Sequence, residues 1–330
     1  MRAILLIGLL SARAFAGPEL SGQTVELEVS RGDACHPEVV TRGLDVPVLL
    51  AADAKGRVFS VDTTIVKPRI VRVRQVGVAK PIARLTAEYY DGVLLGEQLV
   101  LRGSDELVVV ELATGKQRHV AKRVSSLATR NGSLYAIAVD ETAAHVNELV
   151  LPGFEEKVIA TISGRWNYET QLAATASSLF AYLRPDAEVS SPTRSVVESN
   201  LVRISLDKSK VAQLGIMHIG TELGASSKQG FAASLTRVAR LDANGNATFA
   251  PIYGADAIAA DDELAVWANG EKEAVVAWPS SGGLPYVACE RLGPAVRIAV
   301  TPTYIYYMTS PALTEITKPT GVIGRFRRTR

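Results

Sequence analysis

Past an initial apolar run, the chain reads as a succession of short β patterns. Seven segments share one outline: an apolar start, usually a small residue, a polar turn, then an apolar or aromatic pair. They begin at Leu50, Val93, Leu127, Leu172, Leu223, Ile258 and Ile298, at spacings of 43, 34, 45, 51, 35 and 40 residues, a mean of about 41. The pairs are Val58-Phe59, Leu99-Val100, Leu134-Tyr135, Leu179-Phe180, Leu264-Ala265 and Ile305-Tyr306, with Gly230-Phe231 in that place in the Leu223 unit. A third run is alternating or β-branched, as in IVRVRQV from Ile70, LVVVEL from Leu107, NLVRISL from Asn200 and EAVVAW from Glu273. A weaker fourth run precedes the next unit, for example KVIATI from Lys157 and PYVAC from Pro285. Turn residues such as Asn244-Gly245 and Asn269-Gly270 punctuate the runs. Beyond the first segment, no twelve-residue window has convincing helical periodicity.

Four short strands per unit, at a period near 41, predict an all-β fold built of β-propeller blades. The innermost strands carry Ala51, Ala52, Ala128, Ala173, Ala174, Gly224, Ala225, Ala259 and Ala299, small enough for blades that crowd at an axis. Faces between blades need apolar residues from both sides of each sheet, which the strand runs supply. The last unit is one strand short, and QTVELEV (Gln23 to Val29) stands alone before the first unit. Pairing it beside Leu313 to Lys318 would close the ring and remove an open edge. The expected architecture is therefore seven four-stranded blades closed by an N-terminal strand, with six or eight as alternatives.

From Gln23 to Pro319 this pattern resembles the exported bacterial propellers with blades of about 40 residues. The likeness is architectural. The Gly-His and Trp-Asp marks of WD repeats are missing, as are the paired glycines of kelch blades and the Ser-Pro-Asp-Gly turns of TolB-type repeats. Glu111 to Lys116 is similar to a quinoprotein-type hairpin turn, but it occurs once and lacks the following Trp.

The first segment reads as a signal peptide, residues 1–16. Arg2 precedes the apolar core Ala3 to Leu10, and Ala14-Phe15-Ala16 forms a small-x-small cleavage pattern. Residues 17–322 are read as the propeller and 323–330 as a basic C-terminal tail, frayed in solvent. No later stretch reaches the length of an apolar span, so no membrane-spanning segment is expected. The whole chain has 36 basic and 34 acidic residues; loss of Arg2 and Arg13 with the signal peptide balances them. A duplex-DNA surface needs clustered basic residues, so no nucleic-acid partner is expected. Cys35 and Cys289 form an even pair, as exported chains use for disulfides. Their bridge would reinforce ring closure. Localisation is read as secreted or periplasmic, and the protein as a monomer.

Candidate chemistry is sparse. Ser205-Leu206-Asp207-Lys208 matches S-x-x-K but runs from a strand into a hairpin, whereas that chemistry needs a helix start. Asp242 to Asn246 has oxygen groups at alternate positions, yet Ala247 and Tyr253 stand where a calcium loop needs Gly and Glu. Asp261, Asp262 and Glu263 are read as a solvated turn, and Asp53 as the main charged exception along otherwise small inner strands. No metal or cofactor is expected, and no motif names a reaction. What remains is the loop face. Arg165, Trp166 and Tyr168 in one loop, and Glu88, Tyr89 and Tyr90 in another, are the candidate contact residues for a protein or glycan partner. His218 and Glu222 are placed on the same rim, beside a long insertion from Arg184 to Asn200. The alternative use of Trp166 and Tyr168 is packing over a blade seam. The expected function is non-catalytic binding or scaffolding. A propeller enzyme, either a carbohydrate hydrolase or lyase or a quinone-dependent dehydrogenase, is the alternative.

Overall fold

Alternation of β-branched and small residues between tight turns leaves each segment no way to bury its apolar faces alone, so the units stack side by side. A computed structural model describes residues 18–26, 35–65, 67–186, 198–218, 222–234, 237–250, 255–309 and 320–328. Every regular element among them is a strand, arranged as a seven-bladed β-propeller. Blade 1 runs outward as Val46–Ala52, Val58–Thr63, Val71–Gln75 and Ala83–Leu85. The inner strands of the next six blades are Asp91–Leu95, Ser126–Arg130, Gln171–Ala174, Glu222–Ala225, Ala257–Ala260 and Ala295–Val300. All seven repeat anchors read from the sequence fall on these inner strands. Neighbouring inner strands pack together around the axis, and Ala295–Val300 returns to Val46–Ala52.

The core is divided among the seams. Phe59, Val73, Leu101 and Val110 fill the contact between blades 1 and 2. Ile137, Val146, Leu179 and Ile204 do the same between blades 3 and 4, and Trp267 and Trp278 between blades 5 and 6. The two indoles meet edge to face, with ring centres 6.4 Å apart.

The ring does close through a strand from the N-terminal region, but a different one from that expected. Glu38–Leu44 forms the outer edge of blade 7, antiparallel to Gly321–Arg327, with Glu38 opposite Arg325 and Leu44 opposite Gly321. Leu313 to Lys318 lies outside the described residues, as do residues 1–17 with the expected signal peptide. Glu38–Leu44 carries little apolar pattern, with three residues exposed, three partly exposed and only Leu44 buried. Gly321–Arg327 is a strand rather than a frayed tail. Ile323 and Phe326 are buried, and Arg325 and Arg328 are held by partners. Arg325 pairs with Glu38 and stacks 4.3 Å from the Tyr304 ring, while Arg328 pairs with Asp261 and Glu263.

Gln23 to Val29 has another role where it is described. Gly22–Thr24 adds a parallel fifth strand beside Ala247–Ala250 of blade 5. Leu20 is inserted among Phe180, Tyr182, Met217 and Phe249, and its N–H donates to Ile216 O at 3.0 Å. Gly215 makes room: a Cβ there would lie 2.6 Å from the Leu20 Cα. Cys35 and Cys289 are bridged, with Cα atoms 5.4 Å apart, linking the approach to the closing strand with the outer strand of blade 6.

Candidate functional site

Antiparallel order places two sets of connections on one face: those from the outer strand to the next blade, and those from the second strand to the third. On this face the central channel opens into a cavity of about 980 Å3. Residues at the start of the inner strands line it. Asp91, Ser126, Gln171 and Glu222 each begin an inner strand, Asp256 immediately precedes one, and Arg297 is the third residue of another. The result is a polar ring to which six of the seven blades contribute one of these side chains.

The ring is mutually oriented. Arg297 Nε donates to Val48 O of blade 1 at 2.9 Å, and its Nη1 to Val296 O at 2.7 Å. Gln171 Oε1 accepts the Leu223 N–H at 2.8 Å, and its side chain also bonds the Glu222 carboxyl. Burial pushes Glu222 above the usual carboxylate range; Arg297 and Gln171 oppose this shift, and the carboxylates of Asp91 and Asp256 reinforce it. Asp256 accepts the Gly270 N–H at 2.6 Å. Arg102 Nε donates to Asp91 at 2.8 Å, and Arg184 pairs with Glu169 at the mouth. Thr170, only 5% exposed, lines the same cavity, and its Oγ1 has no hydrogen-bond partner among the described residues.

The two aromatic loops meet this mouth unequally. Tyr168 and Tyr90 both line it, each 47% exposed. Arg123 lies 4.3 Å from the Tyr168 ring centre and Arg102 5.4 Å from that of Tyr90, while the Tyr90 hydroxyl bonds Ser104 Oγ at 2.9 Å. Trp166 and Tyr89 are turned away. Trp166 is 7% exposed, packs in the seam of blades 3 and 4, and donates Nε1–H to Ile162 O at 3.0 Å. A Cβ on Gly164 would stand 2.8 Å from that indole. The Trp166 backbone pairs with Pro185, zipping two loops together. Tyr89 is buried in the seam of blades 1 and 2 and donates to Glu106 at 3.2 Å; burial and Glu106 raise its phenol above the usual value. Glu88 pairs with Arg69 on the rim, and Arg165 is exposed there. Thus Tyr90 and Tyr168 are accessible to a ligand at the mouth, whereas the Trp166 and Tyr89 rings serve packing. Residues 187–197 of the long insertion lie outside the described residues, and so does the His218 side chain.

The other chemistry read from the sequence is occupied. Ser205 Oγ donates to Asp207. Asp242 accepts N–H groups of Asn244 and Asn246 at 2.8 and 2.9 Å, closing its own loop. Asp53 lies in the turn at the opposite end of the inner strand, where it pairs with Arg57 at 2.7 Å. Asp262 on that face accepts the Ser227 N–H and lies 3.4 Å from Arg130. Among the described residues, no three His, Cys, Asp or Glu are grouped to hold a metal ion, and no helix is long and apolar enough to cross a membrane.

No protein-family model matches the chain, and no curated protein sequence matches it. Solved structures do. The WD40 domain of Neurospora crassa Pan2 superposes with a TM-score of 0.62 at 7% identity, covering 92% of this chain and 98% of that one. A chain of Kuenenia stuttgartiensis hydrazine synthase gives 0.61 at 11%, covering 92% and 99%. A chain of the mitotic checkpoint complex gives 0.61 at 12%, covering both in full, 100% and 100%. The likeness is one of fold. It upholds the architectural resemblance to propellers. Hydrazine synthase shows that this fold also occurs in an enzyme.

Proposed function

We propose that this chain is a non-catalytic binding propeller of an exported compartment, and that the mouth of its central channel is the face that contacts a partner protein. One observation carries the reading: Tyr90 and Tyr168, half-exposed, flank a cavity of about 980 Å3 whose wall is polar and mutually oriented. Large aromatic rings backed by arginine bury much area at small entropic cost, as interface anchors do. Export is supported by the Cys35–Cys289 bridge, which suits an oxidising compartment, and by the signal-like residues 1–16.

Photoreactive residues at positions 90 and 168, with Lys55 on the opposite face as control, test the contact face in the native extract. Cross-links to one protein from both mouth positions, with none from position 55, are expected. The purified pair should then lose at least about tenfold in affinity on Tyr168→Ala, the usual effect of truncating an aromatic anchor. Cross-links from position 55 alone, or unchanged affinity, would discard this face; a purified glycan as sole ligand would discard the protein partner. A mature N-terminus at Gly17 is expected by mass spectrometry, and an intact Met1 would remove the case for export.

A further inference from the structure

The polar ring is uneven in its charges. Four carboxylates line the cavity, those of Asp91, Glu169, Glu222 and Asp256, against the guanidiniums of Arg102 and Arg184 and that of Arg297. The Arg297 guanidinium is drawn to the wall by the carbonyls of Val48 and Val296. At the mouth, Arg102 and Arg184 are each matched by an acid, Asp91 and Glu169. Deeper in, Glu222 and Asp256 take their hydrogen bonds from neutral groups, the Gln171 side chain and the Gly270 N–H. The surplus in the channel is therefore negative and rich in acceptors. Thr170, whose buried Oγ1 has no hydrogen-bond partner among the described residues, lines the same wall. Low-dielectric walls strengthen the pull of such a ring on a cation.

We infer that the channel ring receives a basic side chain, the ammonium or guanidinium tip of a lysine or arginine, presented by the partner protein at the mouth. This rests on the contact face proposed above and supplies its ligand chemistry. Three or more N–H donors on one positive centre match the acceptors that converge here, and an apolar stem fits between Leu223 and Ile258, which also line the cavity. Neutral ligands would leave the acidic surplus uncompensated, and an acidic one would meet the carboxylates of Glu222 and Asp256. The cation also favours the ionised form of Glu222, so occupancy and proton release from this carboxyl are coupled.

The test uses the whole protein and small probes: Nα-acetyl-lysine methylamide, the arginine and glutamate counterparts, and the uncharged norleucine counterpart. Saturation-transfer NMR reads binding of each. The lysine and arginine probes should bind saturably, and the other two should not. Glu222→Gln and Asp256→Asn should each weaken the lysine probe about tenfold, as loss of a charge-assisted hydrogen bond does. Asp262→Asn, on the opposite face, should leave binding unchanged. Affinity should rise as pH climbs through the Glu222 titration, and Glu222→Gln should abolish that rise. Equal binding of norleucine, preference for glutamate, or full affinity in both ring variants would overturn the inference. The probes report on the ring without the partner. Failure here with mouth cross-links intact would discard only the ligand chemistry; ring binding without those cross-links would discard only the contact face.

Discussion

Asp62 is the place where the crossover from the closing strand is tied to blade 1, and its removal gives the sharpest test of the energetics. Its side chain is 0% exposed and sits in the middle of a charged group. Oδ2 accepts the Asp45 N–H at 3.1 Å, just past the end of Glu38–Leu44. Arg72 Nε donates to Oδ1 at 3.2 Å, Arg72 Nη2 reaches Asp45 Oδ2 at 2.6 Å, and Arg74 Nε lies 3.6 Å from Asp62. Asp62→Ala leaves two largely buried guanidiniums short of a carboxylate and orphans a buried N–H. Breaking a buried pair on one side costs about 3–5 kcal/mol, because the remaining charge is stranded. Urea unfolding followed by the fluorescence of the buried Trp267 and Trp278 measures the loss. The joint variant Asp62→Leu with Arg72→Met removes one charge of each sign and should recover part of the loss, since Asp45 and Arg74 stay behind without these partners. In contrast, Lys55→Ala, which breaks an exposed pair with Glu97 at 2.6 Å, should change nothing measurable. A loss below about 1 kcal/mol for Asp62→Ala, as an exposed pair would give, or a joint variant as unstable as the sum of its parts, would refute the reasoning.

Other outcomes follow from the same structure. Peptide mapping without reductant should recover Cys35 linked to Cys289, and replacing both with Ser should cost up to about 5 kcal/mol by the loop-entropy estimate for 254 residues; free thiols in the folded protein would contradict the bridge. Leu20→Asp should speed amide exchange along Ala247–Ala250 while leaving the far blades protected, and uniform loss of protection would show that the arm is part of the global core. Glu222 is raised in the folded state, so the stability it contributes is present below its unfolded pKa and is lost as pH rises through the folded one. Glu222→Gln should therefore gain on the parent protein from the ordinary carboxylate range upward; a difference that does not vary with pH would contradict the buried, ionisable carboxyl.

The blade plan was legible because packing at an axis leaves a repeated mark. Ala128, Ala173 and Gly224 on inner strands, with valines and leucines on the strands behind them, obey the same constraint seven times. Closure was less legible. Glu38–Leu44 pairs through its backbone along one edge and buries only Leu44, so no periodic side-chain signal marks it. Basic residues around Phe326 masked a strand whose Ile323 and Phe326 are fully packed. The channel ring lay at or just before the apolar anchors: Glu222 was legible on the rim, but units read from Leu172 or Ile258 start one or two residues too late for Gln171 and Asp256. Which aromatic points outward depends on loop backbone paths. The 163–169 loop turns Trp166 into the seam and Tyr168 to the mouth, and adjacent Tyr89 and Tyr90 diverge at a strand start.

Nitroxide labels at Glu38 and Arg325, 287 positions apart in the chain, probe the shared final blade directly while the native disulfide stays intact. These residues are Cα partners across the closing pair, so their backbones should lie about 5 Å apart. Strong dipolar broadening in the doubly labelled protein, lost on unfolding, is the predicted result; a spectrum equal to the sum of the two singly labelled proteins would mean that the ring does not close.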